Sequence, residues 1–238
     1  MKVLWFHLMP YPDLKEDFKQ KHNSVWVDID PGVYVPERGH QAYNEYIDEL
    51  VYAAQAGFDG VCVNEHHANA YGMMPSPNLI ASILARETTN AALCVMGNSV
   101  ALYNPPTRVA EEMAMIDCIS GGRMIAGFPV GTPMDTCYAY GQNPAQLRDR
   151  YYEGIDLVLR AWQEEKPFAF NGRFNKQRYV NCWPRPVQKP YPPVWVPGGG
   201  SVETWNMCGR KSFVYANLSY FGHKASLDRK STRLNSSH

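Results

Sequence analysis

Apolar, β-rich runs alternate with amphipathic helical patterns along most of this chain, and that alternation confines it to folds built around a parallel sheet. Lys2–Leu8, Gly60–Asn64, Ala92–Gly97, Met124–Phe128, Val194–Val196 and Phe213–Ser219 read as strands. Between them, Gln41–Ala56 carries Tyr43, Ile47, Leu50 and Ala54 on one helical face and stops at Gly57. Asn78–Arg86 is a second helix. Pro105-Pro106-Thr107 opens a third, which shows Val109, Met113 and Ile116 to the core and ends at Gly121-Gly122. Leu147–Trp162 places Ile155, Val158, Leu159 and Trp162 at helical spacing, and Val202–Arg210 is a short last helix.

An open doubly wound sheet would carry a glycine fingerprint after its first strand. Here that strand runs into His7-Leu8-Met9-Pro10-Tyr11-Pro12, so a closed (β/α)8 TIM barrel is the expected architecture. Two segments interrupt it, near 12–40 and 166–193, and are candidate lids or substrate walls, with decorative surface insertions as the alternative. Six strands fall before Tyr220, whereas a closed barrel of this type needs eight, so residues 1–227 are expected to form a barrel truncated after about six strands. Asp228–His238 holds one Leu and no strand or helix period, and is expected to be a disordered, non-native tail.

The 23 basic and 23 acidic residues cancel, and no basic block is present, which argues against a nucleic-acid partner. No run approaches the roughly 20 apolar residues of a membrane span. The six cysteines are scattered without a C-x-x-C spacing, as in proteins of a reducing compartment, and a cytoplasmic location is expected.

Chemistry concentrates in two places. Asn64-Glu65-His66-His67 closes the second strand, at the end where barrel enzymes keep their reactive groups. Alternation along a strand puts Glu65 and His67 on one side and His66 on the other. That suits one catalytic imidazole held by its neighbours, or a structural histidine pair, better than a metal-hydrolase cage, which needs two histidines on one face; no metal site is expected. The second place is Gly198-Gly199-Gly200-Ser201, between a strand and the helix starting near Val202. Glycines let the backbone approach an anion, and the helix start offers free N–H groups to a phosphate, although such runs also make ordinary turns.

Asn64–His67, Gly97-Asn98-Ser99, Pro105–Glu112 and Gly122-Arg123, in this order and spacing, resemble the bacterial-luciferase-like flavin-dependent monooxygenases, over roughly Met1 to Tyr220. The resemblance implies a luciferase-like barrel and reduced FMN, or the deazaflavin F420 in some branches, as cofactor. It implies addition of O2 to reduced flavin and oxygenation of a small organic substrate by the resulting hydroperoxide. Partners would be that substrate, O2 and a separate flavin reductase, with a homo- or heterodimer in the full-length protein. It carries His66, with Glu65, to the catalytic position, Asn98 to the place under the flavin ring, and Gly198–Ser201 with Arg148 to the flavin phosphate. The family's phosphate arginine after the fourth strand is replaced here by Val130. An F420-dependent dehydrogenase and a flavin-binding protein without turnover are the alternatives.

Overall fold

The structure is a computed structural model that describes residues 1–218. β1 (Leu4–Phe6) leads into a long segment that holds the short helix α1 (Phe18–Lys21) and a single 3-10 turn at Pro31–Val33. From there the chain runs through α2 (Pro36–Gln55), β2 (Gly60–Val63), α3 (Pro77–Glu87), β3 (Ala92–Val95), α4 (Thr107–Ser120) and β4 (Met124–Gly127). A π-helical turn at Met134–Ala139 precedes α5 (Pro144–Gln163); β5 (Phe168–Asn171) and β6 (Lys176–Val180) follow, then β7 (Val194–Gly198), α6 (Val202–Lys211) and β8 (Val214–Asn217).

Among the described residues six strands form one curled, all-parallel sheet in the order β1-β2-β3-β4-β7-β8, the arc of a barrel. Each βαβ step leaves a helix on the outer face, which is why β2 is buried along its whole length. Leu84, Met113, Ile116, Tyr151 and Trp162 fill the layer between sheet and helices with almost no exposure. Two buried polar ends find partners there: Trp162 Nε1 donates to the Ala110 carbonyl at 2.9 Å, and the Tyr151 hydroxyl donates to the Phe128 carbonyl at 2.7 Å. Arg123 straps the N-terminal ends of the strands, donating to the carbonyls of Ala85, Thr88, Ala91 and Ser120.

Several boundaries differ from those read in the sequence. Residues 36–40, assigned to the first interruption, are the opening turn of α2, with Pro36 at a position where a missing N–H costs nothing. α5 starts three residues earlier than expected, at Pro144, with the Asn143 side chain accepting from the Ala145 N–H. The second interruption contains an antiparallel hairpin of β5 and β6. Ser219 of the last expected strand, and the expected tail 228–238, lie outside the described residues.

Candidate active site

β3 and β4 approach so closely beyond their paired residues that a Cβ on Gly97 would collide with the Gly127 carbonyl oxygen, and one on Gly127 with that of Val95. A cavity of about 580 Å³ opens at the C-terminal ends of the strands, with Met96 in its lining. Its walls draw on Phe6 ending β1, Asn64 and His66 after β2, Met96 after β3, Val130 after β4 and Gly198 ending β7. Its size is ordinary for a cofactor or small-ligand site.

Two imidazole–carboxylate couples sit back to back on one side. His66 Nδ1 lies 3.0 Å from Asp135 Oδ2, and His67 Nε2 lies 2.7 Å from Glu65 Oε1. The alternation expected from the sequence is therefore seen: Glu65 and His67 face each other, and His66 turns away. Asp135, on the π-helical turn, also accepts from the His67 N–H at 2.8 Å, Thr132 Oγ1 at 2.6 Å and Asn69 Nδ2 at 3.3 Å. Burial alone would raise its carboxyl, but the hydrogen bonds from His66, Thr132 and the His67 N–H outweigh that and hold it below the usual carboxylate value. Glu65 Oε2 accepts from the Ser99 N–H, Asn98 Nδ2 and the Tyr103 hydroxyl. Burial, with Glu65 alongside, pushes the Tyr103 phenol far up, so it stays a protonated donor.

The His66 ring is clamped from a second direction. Trp26 and Tyr71 meet it nearly at right angles, at 5.0 and 5.1 Å between centroids, and stack on one another at 4.1 Å. Gly72 leaves room for the ring, since a Cβ there would touch His66 Cδ2. With Nδ1 committed to Asp135, Nε2 has no hydrogen-bond partner among the described residues, and His66 lines the cavity.

Across the cavity, Arg148 Nη1 lies 3.3 Å from Thr204 Oγ1 in the first turn of α6, and it forms no ion pair among the described residues. Gly199 has open space where a side chain would be, and Gly200 takes a left-handed φ of 105°. Ser201 caps α6, accepting from the Thr204 N–H and donating to Glu203. A guanidinium, an open glycine and a helix start on one wall are able to hold a phosphate-bearing cofactor. The buried Asn64 Oδ1 has no hydrogen-bond partner among the described residues, and Asn64 lines the same cavity.

Of the residues singled out in the sequence, Glu65, His66, Arg148, Gly198, Gly199 and Ser201 line this one cavity. Asn98 and Gly200 do not: Asn98 is fully buried behind the wall, bonded to Glu65 and Tyr103, and the Gly200 N–H donates to the Tyr215 hydroxyl. Arg148 stands in the second turn of α5 instead of at its start. Asp135, Tyr71 and Tyr103 were missed, because each reaches the site from a loop without a local motif. Among the described residues no set of three His, Cys, Asp or Glu side chains is arranged to hold a metal, and no helix is long and apolar enough to cross a membrane.

Residues 24–224 match the family model described as luciferase-like monooxygenase. The oxygenase component of the flavin-dependent trigonelline monooxygenase of Acinetobacter baylyi is 30% identical over 163 residues, which are 66% of this chain and 43% of that protein. An F420-dependent glucose-6-phosphate dehydrogenase of Kineococcus radiotolerans is 26% identical, over 66% of this chain and 47% of its own length. The chain spans about half the length, or less, of the curated relatives it matches. Among solved structures, monooxygenase RslO1 of Streptomyces bottropensis superposes with a TM-score of 0.74 at 24% identity, over 90% of this chain and 59% of that one. The oxygenating constituent of 3,6-diketocamphane monooxygenase of Pseudomonas putida, in complex with FMN, gives 0.71 at 19%, over 92% and 58%. Both structural likenesses carry the fold alone.

Proposed function

This chain belongs to the luciferase-like monooxygenase family, and from that premise we propose that it forms the flavin-binding part of an oxidoreductase that oxygenates a small organic substrate with reduced FMN and O2. The observation that carries the reading is one cavity with two poles: the anion cradle of Arg148, Gly199 and the α6 start, and the imidazole of His66 braced by Asp135.

In this reading Arg148, Gly198, Gly199 and Ser201 hold the cofactor phosphate, with the first-turn N–H groups of α6 adding their dipole. Val130 supplies no charge there, so the backbone and Arg148 carry the anion between them. Asn98 acts from behind the wall, by fixing the Glu65 carboxylate. The bound reduced flavin supplies the electrons that activate O2. Asp135 keeps the His66 Nδ1 protonated, which leaves Nε2 to take a proton from the substrate side and return it. Trp26 and the apolar residues Phe6, Leu8 and Met96 keep water from the reacting groups. Electrons come from a separate flavin reductase, and the full-length protein pairs with a second subunit.

A second reading, an F420-dependent dehydrogenase, is supported by the F420-dependent relative and uses the same cradle without O2. Anaerobic titration of the 238-residue chain with reduced FMN and with reduced F420, followed by O2 addition, tests both. Binding of reduced FMN in the micromolar range (~8 kcal/mol), with O2 uptake on aeration, is the expected result. Tight binding of F420 alone would move the assignment to the dehydrogenase, and binding of neither would end it.

A further inference from the structure

The charges around the cavity are unevenly placed. On the His66 side stand two carboxylates, Glu65 and Asp135, and Asp135 is held ionised by its hydrogen bonds. The single permanent cation among the described lining residues is Arg148, and it is set against the start of α6. Apart from the imidazoles of His66 and His67, each hydrogen-bonded to one of these acids, no cationic side chain among the described lining residues stands beside them. A ligand that approaches His66 therefore meets a wall with two carboxylates and no Lys or Arg. Its contact surface there is aromatic: Trp26 stacked on Tyr71 at an interplanar angle of 25°, both nearly perpendicular to the His66 ring. Flat unsaturated rings pack on such a wall in stacked or edge-on geometry, and ring faces also attract cations. A carboxylate or sulfonate placed beside His66 would be repelled by both acids.

We infer that Trp26 and Tyr71 are specificity-determining residues, and that the substrate is a planar unsaturated ring, neutral or cationic, with no negative group near its reacting end. The inference rests on the proposed flavin site and names the substrate class of that site.

The experiment is sequential, so that the two can fail separately. FMN binding to the 238-residue chain is measured first, by calorimetry; its absence removes the flavin reading and this one with it. With FMN saturating, three probes that share a ring and differ in charge are then titrated at neutral pH: quinoline, 1-methylquinolinium and a quinoline carboxylate. The neutral and cationic rings are expected to bind at least about 10-fold more tightly than the carboxylate. Trp26→Leu is expected to weaken quinoline by roughly 2- to 10-fold while leaving FMN affinity unchanged. Equal or tighter binding of the carboxylate would overturn the inference even with FMN bound. So would an unaltered quinoline affinity in Trp26→Leu. Should that variant fail to fold, Tyr71→Leu takes its place, and the charge comparison on the unaltered chain decides by itself.

Discussion

His66 Nδ1 and Asp135 Oδ2 stand 3.0 Å apart although 69 residues of chain separate them. The contact joins the loop after β2 to the π-helical turn after β4, so the orientation of the imidazole depends on two distant parts of the sheet holding register. Asp135 does more than orient: it also accepts the His67 N–H and the Thr132 hydroxyl, and so ties the two loops together. His66→Ala is expected to lower substrate turnover by roughly 10²- to 10⁴-fold, the scale for loss of a general acid or base, with flavin affinity largely kept. His67→Ala should affect turnover less, because its ring faces Glu65. Steady-state kinetics beside flavin titration checks both; near-normal kcat in His66→Ala would refute the proton-transfer role.

The strands were legible because parallel strands buried on both faces are nearly pure apolar runs, as in Gly60–Val63 and Ala92–Val95. Helix cores were legible from their periodicity, but their first turns were not: Pro36 and Pro144 read as loop residues until their place at the helix start is seen. The hairpin Phe168–Val180 escaped because its strands are short, partly charged and set among prolines. In the site, Glu65 and His66 announced themselves by clustering at a strand end. Asp135 sits in a polar stretch, and only the folded loop brings its carboxylate to His66; the Ser/Thr at Thr132 three residues before it was the one local hint of a tight turn.

The lowered Asp135 carboxyl has a stability consequence with a definite sign. Its folded pKa lies below the ordinary 3.8, so its contribution is full above that value and is lost as pH falls through the folded value. Asp135→Asn is expected to flatten the acid limb of stability below pH 3.8 and to lower stability at neutral pH. Urea unfolding followed across pH 2 to 7 reads both effects; an acid limb identical in the two proteins would show that the carboxylate contributes nothing.

Among the described residues the hydrogen-bond partners of Arg148 are two hydroxyls, those of Thr204 and Tyr152 at 3.3 and 3.4 Å, and it forms no ion pair. Arg148→Ala should weaken FMN by about 1.5–3 kcal/mol, the range for a charge-assisted hydrogen bond, and leave riboflavin nearly unchanged. Equal losses for the two ligands would place Arg148 in folding instead of phosphate binding.

Gly97 and Gly127 face each other across β3 and β4 with no room for a methyl group. Gly97→Ala must push the Gly127 carbonyl away, and it should destabilise the chain by about 1–3 kcal/mol or more, as overpacking at backbone does. The same shift would move Asn98, whose N–H donates to the Gly127 carbonyl at 3.0 Å. A melting temperature within a degree of the parent, with flavin binding intact, would mean the strands can part at no cost.

Glu153 on α5 reaches over the tip of the β5–β6 hairpin and accepts four kinds of donor there: the N–H groups of Arg173, Phe174 and Asn175, and Asn175 Nδ2. Burial pushes this carboxyl up, but those bonds prevail and hold it below 4.5. Gly172 makes the approach possible, since a Cβ there would strike the carboxylate. Glu153→Gln turns one acceptor oxygen into a donor that faces N–H groups, and stability is expected to fall by about 1–3 kcal/mol. The effect should be local: amides 173–175 should exchange with solvent faster, while those of β7 keep their protection. Acid should reproduce it in the parent chain as pH drops below 4.5, because protonation removes the same acceptor. Hydrogen exchange read residue by residue decides; unchanged protection at 173–175 in the variant would show that the hairpin is held by its own ladder and by the Arg160 stack on Phe168, and not by Glu153.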